Sequence, residues 1–240
     1  MNHPKAIVHL DRLARNYKIL SNSVNGKRLM AVVKANAYGH GAIECSKTLE
    51  DQGCDFFSVF TVEEAKELRN AGLKSDILIL SKLEKESIQA AIDNDLIVNI
   101  SSINDLDSII SFLEKNGLSP RFHMKIETGM NRLGFDLSDI SSSIGKLLDY
   151  KNLNCEGIYT HYATSDEGDL SYAHLQQERF EQALEIANEM GYTFKYKHIS
   201  NSGGLLNELS SNTNLLRLGI LLYGIYPSKD VEKKYVLEPV

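Results

Sequence analysis

The sequence predicts an α/β protein, a (β/α)8 TIM-type barrel, and three features of the chain lead to that prediction. Short apolar runs rich in β-branched residues alternate with segments of helical periodicity, which is typical of a parallel sheet. Eight such units fit within about 200 residues, a usual size for a barrel of this type. No G-x-G-x-x-G pattern follows the first run, which disfavours the alternative, an open doubly wound sheet.

The apolar runs predict strands at residues 29–34, 56–60, 77–80, 97–100, 122–126, 155–160, 196–200 and 215–220. The segments between them predict helices at residues 42–51, 62–71, 85–94, 103–116, 137–148, 173–189 and 204–208. Before the barrel, we expect one more strand over residues 6–10 and a helix over residues 12–21, with Asp11 as its N-cap. Glycines 53, 72, 117 and 191 follow predicted helix ends, as C-cap glycines do.

The composition indicates a globular protein that binds neither nucleic acid nor a membrane. Hydrophobic residues make up 42% of the chain and charged residues 24%, and the net charge is −6 without a block of like charges. No apolar run is long enough to cross a bilayer, and the N-terminus lacks an apolar signal core. Cys45, Cys54 and Cys155 have no metal-binding spacing, so we expect reduced thiols and a cytoplasmic location.

Lys34, at the end of the first predicted strand, is the strongest functional candidate. Burial at a strand end lowers the pKa of a lysine, and such lysines form Schiff bases with aldehydes. A lone lysine there is more often paired in a salt bridge, so the surrounding residues decide the interpretation. Residues 33–41 read V-K-A-N-A-Y-G-H-G. All nine positions match the motif of the pyridoxal-phosphate lysine in the alanine racemase family, which this chain therefore resembles.

Two segments after the last predicted strands are candidates for binding a phosphate. Residues 198–204 read H-I-S-N-S-G-G and residues 217–220 read R-L-G-I. Barrels often bind phosphate after strands seven and eight, which makes Ser202, Gly219 and Ile220 candidates, although ordinary turns also have this composition. The two segments are similar to the H-x-x-N-S and R-x-G-I motifs of the alanine racemase family. The resemblance implies that they hold the cofactor phosphate, with Asn201 included and with Tyr38 as a further hydrogen-bond donor.

The resemblance also implies roles for two arginines. Arg217 matches the arginine that donates to the pyridine nitrogen of the cofactor. Because arginine keeps its proton, the ring nitrogen stays unprotonated and the ring is a weaker electron sink. That favours simple proton exchange over side reactions such as transamination. Residues 125–134 resemble the family motif K-x-x-T-G-M-x-R-x-G. By this resemblance, Arg132 would help to hold the substrate carboxylate and to position the base.

Two further residues have implied roles close to these arginines. Lys125 matches a lysine that some family members carry as a carbamate, and an unmodified amine is the alternative. His161 matches a histidine beside Arg217 and the catalytic tyrosine, although a lone histidine at a strand end is more often a core residue. Five other histidines show no ligand spacing with each other, so we expect no metal; they are His9, His40, His123, His174 and His198.

The resemblance as a whole implies an amino-acid racemase that interconverts L- and D-alanine with pyridoxal 5'-phosphate on Lys34. Residues 1–228 would form the barrel domain, and residues 229–240 would begin a linker to a C-terminal β domain. That domain would carry a tyrosine as the second base, because racemisation needs proton carriers on both faces of the Cα carbanion. These 240 residues alone are then expected to be weakly active. The resemblance further implies a homodimer that supplies D-alanine for the cell wall.

Two alternative functions remain open at this stage. One is a non-catalytic pyridoxal-phosphate protein made of a single barrel, although the motif around the lysine of those proteins is closer to S-K-x-K-P. The other is a racemase for serine or another amino acid. Decarboxylases of the same fold type lack the combination of the G-M-x-R-x-G and N-S motifs, which disfavours that function.

Overall fold

The computed structural model describes residues 5–24, 26–209 and 212–240 and confirms the predicted barrel. The parallel strands are β1 (Arg28–Val32), β2 (Phe56–Val59), β3 (Asp76–Ile79), β4 (Ile97–Ile100), β5 (Arg121–Lys125), β6 (Asn154–Tyr159), β7 (Tyr196–His198) and β8 (Leu215–Leu218). They form one sheet in the order β7-β6-β5-β4-β3-β2-β1-β8. Between β7 and β8, the backbone N–H of Arg217 donates to the carbonyl of Ser200 at 3.0 Å, which nearly closes the barrel.

Helices cover the outside of the sheet. They are α1 (Leu10–Ser23), α2 (Ala42–Asp51), α3 (Val62–Asn70), α4 (Ile88–Asp93), α5 (Ile103–Asn116), α6 (Ile140–Asp149), α7 (Ser171–Glu189) and α8 (Ser202–Leu206). Within the described ranges, none of these helices has both the length and the apolar character needed to cross a bilayer. Gly53, Gly72, Gly117 and Gly191 all have positive φ angles after helix ends, which confirms the predicted C-caps.

The predicted first strand and the N-cap of α1 are wrong. Residues 5–9 form neither a helix nor a strand, and α1 begins at Leu10 with His9 as its N-cap residue. An isolated strand leaves its backbone groups unpaired, and in the described part of the chain no strand pairs with this segment. Asp11 lies inside the helix, where its carboxylate pairs with Arg15 at 2.8 Å.

Three predicted helices differ from the structure in detail. The helix expected at residues 85–94 is a 3-10 turn (Lys85–Ser87) followed by α4, and the helix at 137–148 is a 3-10 turn (Leu137–Asp139) followed by α6. The helix expected at residues 204–208 begins earlier, at Ser202, because the side chain of Asn201 accepts a hydrogen bond from the N–H of Gly204.

A packed layer of side chains fills the lower part of the barrel. Its members come from six strands and are buried; they are Met30, Phe56, Leu78, Ile97, Tyr196 and Leu215. Since side chains alternate along a strand, Met30 and Val32 point to the same side of β1. Val32 borders an open cavity. The barrel is therefore filled toward the amino ends of its strands and open toward their carboxyl ends, where active sites of this fold lie.

Two glycines provide a direct test of this packing. A Cβ added to Gly157 in β6 would lie 2.8 Å from the ring of His123, whereas a Cβ added to Gly145 in α6 would meet nothing within 4 Å. We therefore expect Gly157→Ala to lower the free energy of unfolding by about 1–3 kcal/mol. Gly145→Ala should raise it by about 0.5–1 kcal/mol through helix propensity. Urea denaturation of both variants measures the difference, and equal effects would contradict the close contact inside the barrel.

Candidate active site

A cavity of about 440 Å³ lies at the carboxyl ends of the strands. This volume is within the range of about 300–1,000 Å³ that is usual for small-molecule sites. Every residue to which the sequence assigned a site role lines it: Lys34, Tyr38, Arg132, His161, Asn201, Ser202, Arg217, Gly219 and Ile220. Lys125 lines it as well. The structure therefore brings together candidates that are up to 186 residues apart in the sequence, Lys34 and Ile220.

Lys34 stands at the start of a backbone turn of unusual handedness. After β1, the next four residues, 35–38, have φ angles of 52–53°, in the left-handed region. That conformation costs about 1–2 kcal/mol for each residue with a side chain, so surrounding contacts must hold it. Asn36 supplies one of them, because its side-chain oxygen accepts a hydrogen bond from the N–H of Ala42 at 2.7 Å.

Positive charge is concentrated in this cavity. Burial and the nearby guanidinium of Arg132 lower the pKa of Lys34, which confirms the expected direction. Burial, together with Arg132 and Arg217, lowers the pKa of Lys125 to about 8. One carboxylate, that of Asp166, also lines the cavity. Such a site favours anionic ligands and keeps a larger fraction of its two amines neutral.

Arg217 is buried in β8 and held by hydrogen bonds from Nη1 and Nη2. Nη2 donates to the carbonyls of Thr160 and Ile199, at 2.6 and 3.0 Å, and Nη1 contacts Nδ1 of His198 at 2.6 Å. Nη2 also lies 3.2 Å from Nδ1 of His161. Burial lowers the pKa of Arg217 to about 10, so the guanidinium remains protonated at neutral pH.

The contacts of Arg217 determine the tautomers of two histidines. Burial and the charge of Arg217 hold the pKa values of His161 and His198 well below the usual range, so both rings are neutral. Because arginine can only donate, Nδ1 of each ring accepts and the proton resides on Nε2. In His198, Nε2 then donates to Nδ1 of His123 at 2.9 Å. The sequence did not reveal this histidine pair, whose members lie on strands β5 and β7, 75 residues apart.

Tyr159 is a residue of the site that the sequence interpretation missed. Its ring stacks on His198 with 4.7 Å between centroids and an angle of 1° between the planes, and its hydroxyl donates to Asn99. The guanidinium carbon of Arg217 lies 5.2 Å from the centre of the same ring. Tyr159 is the last residue of β6, and that strand-end position, directly before Thr160 and His161, was the available signal.

Two glycines in the lining of the cavity allow close contacts with their neighbours. A Cβ added to Gly219 would lie 2.5 Å from the Tyr38 hydroxyl oxygen, and a Cβ added to Gly203 would lie 2.8 Å from the carbonyl of Ser165. Ser202 opens α8, and the first N–H groups of a helix have no acceptor within it. We call the group Tyr38, Ser202, Gly203, Gly219 and Ile220 the anion cradle.

The loop that carries Arg132 is held by Glu127. The Glu127 carboxylate accepts hydrogen bonds from the N–H groups of Gly129 and Arg132, at 2.5 and 3.3 Å. From α7, the Tyr172 hydroxyl donates to the carbonyl of Gly129 at 2.7 Å. Gly129 has a φ of 138°, and an added Cβ would lie 2.4 Å from the Tyr172 hydroxyl oxygen. These contacts place the exposed Arg132 side chain at the edge of the cavity.

Comparison with known proteins now places this barrel in a family. A family model described as "Alanine racemase, N-terminal domain" matches residues 8–227. This chain belongs to the alanine racemase family. It is 38% identical to the alanine racemase of Methanococcus maripaludis, covering 100% of this chain and 65% of that protein. It is 36% identical to alanine racemase 2 of Caldanaerobacter subterraneus, covering 97% and 60%.

Solved structures of the family have the same fold. The alanine racemase of Clostridium difficile 630 in complex with cycloserine is 32% identical, with a TM-score of 0.90 over 97% of this chain and 65% of that one. The alanine racemase of E. faecalis is 34% identical, with a TM-score of 0.89 over 97% and 63%. The chain thus spans less than two thirds of the length of these relatives.

The titration of Lys125 tests the electrostatics of the cavity. We expect its amine to become reactive toward acetic anhydride with a midpoint near pH 8, because its pKa is lowered to about 8. Arg132→Gln removes a positive charge that disfavours the protonated amine, so the midpoint should rise in this variant. Competitive acetylation read by mass spectrometry, with the exposed Lys47 as internal reference, measures both values. A native midpoint near the ordinary 10.5 would contradict the arrangement.

Proposed function

We propose that this chain is the barrel part of an alanine racemase that works with pyridoxal 5'-phosphate bound at Lys34. The observation that carries the proposal is the placement of Lys34, with a lowered pKa, in one cavity with Arg217 and the anion cradle. The names of the relatives supply the reaction, since those described above are alanine racemases.

The residues of the cavity fit the cofactor. The anion cradle has two hydroxyl donors, those of Tyr38 and Ser202, and the missing Cβ of Gly219 is what lets the Tyr38 hydroxyl lie at this position. Arg217 is a donor that stays protonated, which suits a ring nitrogen that accepts. When bound, pyridoxal phosphate supplies an aldehyde for Lys34 and a ring that withdraws electrons from the substrate Cα.

Lys34 acts in this proposal as the attachment point and as one proton carrier. Its lowered pKa increases the fraction of neutral amine that can accept the Cα proton. The second carrier would be a tyrosine from a C-terminal β domain, as the family resemblance implies. Two carriers on opposite faces of Cα allow the proton to be removed from one side and returned on the other.

Arg217 and His161 control the charge around the ring. An N–H of Arg217 would donate to the ring nitrogen, and the carbonyls of Thr160 and Ile199 hold the guanidinium in position. His161 accepts from Arg217 and is neutral, so it adds no charge beside the substrate. This arrangement limits the electron demand of the ring and favours proton exchange over transamination.

Arg132 and Lys125 would serve the substrate. A planar guanidinium suits the carboxylate of an amino acid, and the exposed position of Arg132 at the cavity edge gives it access. Lys125, with a pKa of about 8, has enough neutral amine to react with carbon dioxide, and the resulting carbamate would pair with Arg132. The homodimer, the linker at residues 229–240 and the supply of D-alanine for the cell wall are proposed on the resemblance alone, and the cytoplasmic location is proposed on the cysteine pattern.

Cofactor trapping at Lys34 tests this function. Pyridoxal phosphate followed by borohydride should label Lys34 in the native protein, and Lys34→Ala should lose that label while Lys125→Ala, in the same cavity, keeps it. Racemisation of L-alanine should fall by about 10²–10⁴-fold or more in Lys34→Ala. Labels scattered over surface lysines would refute the site. Specific labelling with no racemisation by a longer chain that includes the β domain implied by the resemblance would favour the non-catalytic carrier, and faster racemisation of L-serine by that chain would reassign the substrate.

A further inference from the structure

Glu64, in the first turn of α3, joins two segments of backbone at the edge of the active site. One carboxylate oxygen, Oε1, accepts a hydrogen bond from the N–H of Ala35 at 2.7 Å. The other, Oε2, accepts from the N–H groups of Phe60 and Thr61 at 2.6 and 3.3 Å. The same residue closes the capping box of α3, because its own N–H donates to the Thr61 hydroxyl. A helix cap requires only the Oε2 contacts, so the bond to Ala35 is additional.

Glu64 is therefore hydrogen-bonded to the backbone of Ala35, the residue directly after Lys34. Ala35 is the first of the four left-handed residues, and such a segment persists only where its surroundings hold it. Asn36, the second residue of the turn, is bonded to α2 through the N–H of Ala42. Glu64 fixes the near end to β2 and α3. On the other side of Lys34, the N–H of Val33 donates to the carbonyl of Ser58 in β2 at 2.9 Å. Glu64 therefore adds a second attachment, directly after Lys34, that fixes the direction in which this side chain leaves the backbone.

The carboxylate of Glu64 also opposes the other charges that act on Lys34. Arg132 lowers the pKa of Lys34, and Glu64 raises it. Lys125 and His161 face the same amine, because the charge of Lys34 in turn lowers their pKa values. Glu64 does not line the cavity, so it acts on the site only through the turn and through its charge.

We propose that Glu64 is a positioning residue that aligns Lys34 by clamping the left-handed turn to the end of β2. This inference rests on the proposed function for its meaning in catalysis, but its physical content concerns Lys34 alone. Aligned reacting groups account for large rate factors, and a displacement of about 1 Å can cost roughly a hundredfold. The clamp therefore determines how fast Lys34 reacts with an aldehyde as well as its state of protonation.

Glu64→Gln tests the clamp with little change of shape. A glutamine has one accepting oxygen, so it cannot bind the N–H of Ala35 and those of Phe60 and Thr61 together. We expect the rate of pyridoxal-phosphate trapping at Lys34 to fall roughly ten- to hundredfold. The pKa of Lys34, measured by competitive acetylation without any cofactor, should decrease because the opposing negative charge is gone.

Two control variants separate the clamp from its other effects. Thr61→Ala weakens the cap of α3 but leaves both Glu64 oxygens in place, and Glu63→Gln removes an exposed charge one residue away. Both should keep trapping rates and a Lys34 pKa close to those of the native protein. A native trapping rate in Glu64→Gln would overturn the inference even if the pKa of Lys34 fell, as would equal losses of rate in Glu64→Gln and Thr61→Ala. Failure of the native protein to label at Lys34 would instead refute the proposed function, and the rate at which acetic anhydride modifies the neutral Lys34 amine, compared between Glu64→Gln and the native protein, would then test the clamp.

Discussion

Four consecutive residues after Lys34 hold left-handed backbone torsions, and the rest of the site is arranged around that constraint. A relaxed right-handed turn would send Lys34 and Tyr38 in other directions, because side chains follow the backbone that carries them. The strain is offset by bonds to elements that the barrel already fixes: Asn36 to α2 and Glu64 to β2 and α3. Barrel packing thus supplies the stability that keeps this short segment in an otherwise unfavourable conformation.

The second determinant of the site is an excess of cationic over anionic side chains in the lining of the cavity. Arg217 is buried among carbonyls and imidazoles, and Arg132 lies at the rim, so the amines of Lys34 and Lys125 lose protons more readily. The same charges favour a phosphate and a carboxylate as ligands. One arrangement of charge therefore serves both anion binding and the supply of a neutral amine.

The fold could be predicted because a barrel repeats one strand–helix unit, and each repetition strengthens the interpretation of the others. The residues of the site could be predicted because they belong to long and specific sequence motifs, such as the one at residues 33–41. Contacts across the barrel could not be predicted: the His123–His198 pair and the stacking of Tyr159 depend on register between strands. The prediction of a strand at residues 6–10 was wrong because this apolar segment has no neighbouring strand to pair with in the described structure.

We propose that Lys34, Arg217 and the anion cradle form one binding site for pyridoxal phosphate. A crystal structure of the protein soaked with this compound would locate the bound molecule. We expect electron density continuous with the Lys34 side chain, with the phosphate against the anion cradle and the ring nitrogen within hydrogen-bond distance of Arg217. Density attached to another lysine, or a phosphate bound outside the cradle, would rule out this binding site.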